Sequence, residues 1–167
     1  MSALFRTFLM IGLLRSSPQI IPASQVLLVL TVITHFLIGL MLASLSISIS
    51  GAAASAFLGT AVMVAFVYLI LLMKGQQSRF VQTVTALAGC EALIGLVALP
   101  VTYLFHTSGG ESGLIAIFSL LIFSWNIMVA AHIFKHAFTL SSQQGVFYAV
   151  FYIFTSLIVG SILGVAA

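Results

Sequence analysis

Apolar runs of about twenty residues alternate with short polar breaks along nearly the whole chain. That rhythm predicts five membrane-crossing helices, at about residues 25–46, 54–73, 80–105, 114–137 and 146–166. The breaks are a serine-rich turn from Ser46 to Gly51, a polar loop from Lys74 to Arg79, a glycine-rich loop from His106 to Gly113, and a polar loop from Thr139 to Gly145. The Ser/Ile alternation from Ser46 to Ser50 has the period of a strand, but it has no second strand to pair with. Connections this short make successive helices antiparallel neighbours. Ser24 is placed to cap the first span, and Pro18 and Pro22 break the backbone ahead of it.

A further apolar stretch, Ala3 to Leu14, is too short to cross a bilayer and carries Arg6 inside it and Arg15 at its end. A signal peptide places its charge ahead of an uninterrupted apolar region, and Arg15-Ser16-Ser17-Pro18 is a poor cleavage site. The stretch reads instead as an interfacial helix, with Leu4, Phe5, Phe8, Leu9 and Ile11 toward lipid and the arginines reaching phosphates. The expected fold class is all-α: a polytopic membrane protein, residues 1–24 an N-terminal interfacial segment and residues 25–167 a five-helix transmembrane domain.

Composition turns this into an exclusion. Hydrophobic residues are 62% of the chain and charged residues 4%, against about 25% charged in a soluble domain. Too few charges exist to cover a soluble surface. The net charge of +3 is small and scattered, which argues against a nucleic-acid partner. One cysteine, Cys90, excludes an internal disulfide. No nucleotide loop, nucleophile elbow or metalloprotease signature is present, and acids, histidines and cysteines are too few for a metal cage. The expectation is a non-enzyme with no cofactor and no metal site.

All five Lys and Arg residues fall on one side of the spans: Arg6, Arg15, Lys74, Arg79 and Lys135. The positive-inside rule then puts the N-terminus in the cytoplasm and the C-terminus outside. Phe147, Tyr148, Phe151 and Tyr152 would anchor the cytoplasmic end of the fifth span, and Tyr103 and Phe105 the outer end of the third.

Within the spans, polar groups gather at one depth. Glu91 is the sole carboxylate inside an apolar run, and an acid in hydrocarbon either takes a proton or finds a donor. At a rise of about 1.5 Å per residue, His35, Glu91 and Asn126 all lie near the midplane. On the third span, Ala88, Glu91, Gly95, Ala98 and Thr102 form one small-residue face, which points into a bundle. Ser119, Asn126 and Ala130 share a face on the fourth span. Ala149, Ser156, Gly160 and Gly164 share one on the fifth, with Ser156, Gly160 and Gly164 as a helix-packing face. The Glu91–His35–Asn126 set reads either as a polar clasp that fixes helix register or as a proton or ligand site. Pro100 is placed to kink the third span. His132 and His136, one turn apart, form with Lys135 a cationic rim and lack a third ligand for zinc. Trp125, mid-span, and Cys90 read as packing residues.

The chain also resembles the YIP domain family of Ypt/Rab-interacting membrane proteins, in its short bacterial form. The features that carry the resemblance are the five spans, Leu13-Leu14-Arg15-Ser16-Ser17-Pro18 ahead of the first, Gln82-Thr83-Val84-Thr85-Ala86-Leu87 on the third, Trp125-Asn126 on the fourth, and His132 to Ala137 with Gln143-Gln144 before the fifth. Family members with Rab partners carry an acidic-Leu-x-Gly-Pro element ahead of the first span. Here only Pro18 matches it, so Rab binding is not implied. The resemblance implies a non-catalytic scaffold or partner-binding subunit, associating with lipid, with other membrane proteins or with itself through helix faces. The alternative is a small oligomeric transporter or channel in which Glu91 is the intramembrane proton or ligand site.

Overall fold

A computed structural model describes residues 2–108 and 113–162. Those residues are all-helical: α1 (Ser2–Gly12), α2 (Gln25–Ala43), α3 (Ile49–Met73), α4 (Phe80–Thr107), α5 (Gly113–Ala137) and α6 (Ser142–Ile162). The five helices after α1 are each long and apolar enough to cross a membrane.

Local chemistry sets most of the ends. The Ser24 hydroxyl accepts from Leu27 N–H and caps α2. The Ser48 hydroxyl accepts from Gly51 N–H and starts α3 at Ile49, five residues earlier than a span beginning at 54. A serine read as turn punctuation is therefore a helix cap. α6 likewise opens at Ser142, ahead of the expected 146. Three helices stop the same way, with the chain folded back on itself over a left-handed residue. Arg15 N–H donates to Met10 O, Gln76 N–H to Leu71 O and Leu140 N–H to Lys135 O, around Leu14, Gly75 and Thr139. Only Gly75 adopts that backbone without a side-chain penalty.

Lys74, Arg79 and Lys135 mark one end of the bundle, here called the basic end. Arg79 Nη1 donates there to the carbonyls of His136 and Ala137 and to Thr139 Oγ1, so its charge closes the C-terminus of α5. At the opposite end Ser46 Oγ and His106 Nε2 lie 2.8 Å apart.

α4 is the central element: it packs against α1, α2, α3 and α5, and meets α6 through Glu91 and Tyr152. Its run from Thr83 to Cys90 is buried throughout. Small residues let neighbours approach, and the two threonines turn their hydroxyls back to Arg79 O and Val81 O, so no donor is stranded. An aromatic cluster fills the same half of the bundle. Phe66 touches Phe134 and Tyr152, and Phe134 stacks on Phe138.

α1 packs along the bundle instead of turning a whole face to lipid. Leu4, Phe5 and Leu9 are exposed, but Phe8 and Ile11 are buried. The Phe8 ring occupies the place of a side chain at Gly89, where an added Cβ would clash with it. Cys90 Sγ–H points to Phe8 O, Trp125 Nε1–H donates to Gly12 O at 2.8 Å, and His132 Nε2 meets Ser16 O at 2.9 Å. Gln82 Nε2 then donates to Ile21 O. The contacts run in order down α4 and up α5, so α1 is antiparallel to α4.

Candidate functional site

Beyond Glu91 the bundle loosens. α4 has no buried residue after Gly95, and α5 has none before Val129. The space left between α2, α4, α5 and α6 is an open cup of about 410 Å³. Its wall on α4 is Glu91, Gly95, Ala98 and Thr102, the small-residue face itself. Across from it stand Ser119 and Asn126 of α5, Tyr152 and Ser156 of α6, and His35 and Gly39 of α2.

Glu91 sits at the floor. His35 Nδ1 lies 3.5 Å from Glu91 Oε2, and the Tyr152 hydroxyl donates to the same oxygen at 3.5 Å. Both contacts are long and both fall on one oxygen. Oε1 has no partner among the described residues. The Glu91 side chain is 10% exposed, enough to reach the cup and not enough to be solvated on its own. Below it the floor is sealed by Tyr152 with Phe66 and Phe134, whose rings close the route to the basic end.

The structure brings His35 and Glu91 together and leaves Asn126 apart from both. Asn126 lines the same cup, and its amide makes no hydrogen bond among the described residues. Ser156 lines the cup as well, and Gly160 is buried on the same face of α6. Gly164 and Glu111 lie outside the described residues.

Tyr152 is the member that sequence reasoning placed elsewhere. It is not an interfacial anchor: it is buried, whereas its neighbours Phe147 and Phe151 are exposed. The signal was spacing, because Ala149, Tyr152 and Ser156 recur at three and four residues and so share one face. Trp125 packs mid-bundle, but its polar edge also anchors α1. Cys90 is buried under Phe8.

His132 and His136 meet edge to face with ring centroids 4.6 Å apart, and the Nε2 of His132 is engaged by Ser16 O. No group of three metal-ligating side chains occurs among the described residues. No family model, curated protein or solved structure matches the chain.

Proposed function

We propose that this protein is a small membrane carrier that binds an organic cation in the cup, with Glu91 as the receptor group. One observation carries the reading. A carboxyl group is set into an apolar cup with one oxygen tethered at long range and the other unpartnered. A register clasp would be expected to satisfy its members, because polar groups in hydrocarbon gain little unless paired. Here Glu91 Oε1 and the Asn126 amide are left for something else. A cation bearing an N–H donor neutralises the carboxylate and hydrogen-bonds it at once. Asn126, Ser119 and Ser156 supply weaker polar contacts around an otherwise apolar wall, the usual make-up of a small-molecule site. The aromatic floor is the barrier that has to move for passage to the basic end.

The basic end is assigned to the cytoplasm by the positive-inside rule, so the cup opens away from it, in what we take to be a bacterial inner membrane. The test is thermal unfolding of the purified protein in detergent with a panel of small ammonium ions, their neutral isosteres and small anions. Cations are expected to raise the midpoint by several degrees, and Glu91→Gln to abolish that rise while leaving the unliganded midpoint near wild type. Equal stabilisation of Glu91→Gln, or stabilisation by anions alone, removes the reading.

A second reading, a non-catalytic scaffold of the YIP kind, is favoured by α2. Thr31 is its one buried residue, so it offers the bilayer or a partner helix a broad face. Recovery of a stoichiometric membrane partner in mild detergent, lost on changing that face, would support it.

A further inference from the structure

Arg6 lies at the middle of the bundle on its outer surface. Phe8 packs at Gly89 and Cys90, and Phe5 lines a groove with Leu93, Leu96 and Val97. Arg6, between them in sequence, is therefore level with about Leu93. The bundle's ends are marked on α4 by Arg79, bonded to Ala137 O, and by His106, beside Ser46. Leu93 is midway between those marks, roughly 20 Å from either at the helical rise. On the wheel Arg6 is opposite Phe8, the buried residue, and its side chain is exposed. A guanidinium keeps its charge and presents five donors. Among the described residues Arg6 has no hydrogen-bond or ion-pair partner.

A charge at that depth is tolerated only where an acceptor or water is drawn to it. A second copy of the chain brings no acid to it from the described residues, because the carboxylate they contain, Glu91, faces the cup. Lipid phosphate has the complementary charge and the geometry that an arginine fork fits. We propose that Arg6 holds the phosphate of an anionic phospholipid, drawn inward along α1 from the leaflet at the basic end. Arg15, exposed just past the end of α1 and next to Ser16, holds a headgroup nearer the surface. α1 is thus a lipid-binding wedge that thins one leaflet beside the cup.

The chain carries its own probes. Its single tryptophan, Trp125, contacts α1, and its single cysteine, Cys90, is covered by α1. Native mass spectrometry of the full chain, in detergent with equal phosphatidylglycerol and phosphatidylcholine, is expected to show retained phosphatidylglycerol. Retention should fall at least threefold in Arg6→Leu and hold within twofold in Arg6→Lys. In liposomes, headgroup spin-labelled lipid should quench Trp125 more in the wild type than in Arg6→Leu. Cys90 labelling separates loss of charge from undocking of α1: where Arg6→Leu labels faster than wild type, Arg6→Gln replaces it and must show the same threefold loss. Equal retention of the two lipids by wild type, unchanged retention in both neutral variants, or an Arg6-dependent dimer in place of bound lipid overturns the proposal.

Discussion

The half of the bundle next to Arg79 and Lys135 is packed like a protein interior, and the half beyond Glu91 is not. In the first, α4 is buried from Thr83 to Cys90, α5 from Val129 to Ala131 and again at Ile133, Phe134 and Ala137, and aromatic rings fill the gaps. In the second, α4 and α5 stand apart around the cup. The second half is the more apolar of the two, as the outer halves of α4 and α5 show, so hydrophobicity does not explain the tighter packing of the first. Lipid tails are as apolar as leucine and give no net drive for helices to associate. What separates the halves is shape. Small residues run along the whole face of α4, but their effect depends on what projects into them. Phe8 fills the notch at Gly89 and Ile38 the notch at Gly95, where an added Cβ would meet Ile38 Cγ2 at 2.6 Å. Past Gly95 nothing fills the space at Ala98 and Thr102, and the same kind of face becomes the wall of a cup.

The sharpest way to break that comparison is to remove an aromatic ring from each half. Phe134 is fully buried against Phe66, Phe138 and Tyr152. Phe134→Ala should cost about 2 kcal/mol, below the range for soluble cores because only packing is lost and not transfer from water. Phe123, half-exposed at the cup, should cost no more than about 0.5 kcal/mol when cut to Ala. Reversible unfolding in mixed detergent micelles measures both. Equal losses would mean that the second half is closed and packed in the membrane, and that the cup is not a feature of the folded state.

Glycines give the next test. A Cβ at Gly145 would lie 2.6 Å from Ala131 O, a backbone atom that cannot swing aside. Gly145→Ala should therefore destabilise by about 1–2 kcal/mol in the same assay. Gly59 has nothing within 4 Å of its would-be Cβ, and Gly59→Ala should be neutral or stabilise by up to about 0.5 kcal/mol. A tolerated Gly145→Ala would show that α5 and α6 are not held as closely as the tight half requires.

The difference between the halves was invisible in the sequence for the same reason. Length and hydropathy mark a span whether it packs on protein or faces lipid, so the five crossing helices were legible and their neighbours were not. Phe8 and Ile11 look as lipid-facing as Leu4 and Leu9, and only the notch at Gly89, about eighty residues away, decides otherwise. The Ser48 cap was legible as a serine ahead of an apolar run, but competing serines on either side blurred it. At the site, shared depth pointed to His35, Glu91 and Asn126. Depth cannot say which helices touch, and that is why Asn126 stands across the cup while Tyr152 takes the contact with Glu91.

The seam between the halves carries the smallest effect and the most pointed one. His35 and Tyr152 both approach Glu91 Oε2, each at 3.5 Å. Interhelical hydrogen bonds of this kind average about 0.6 kcal/mol in membranes. Glu91→Gln keeps a donor and an acceptor and should unfold near wild type, while Glu91→Leu should unfold somewhat earlier. A double-mutant cycle of His35→Leu with Glu91→Leu should show a coupling of about 0.6 kcal/mol, because groups in contact are not additive. Tyr152→Phe with Glu91→Leu should couple to a similar extent. Coupling well above that, about 2 kcal/mol, would make the trio a clasp that holds α2, α4 and α6 in register, and the cup would be a by-product of packing. Coupling near the expected value leaves Glu91 only loosely held by its own protein, as a group reserved for a ligand has to be.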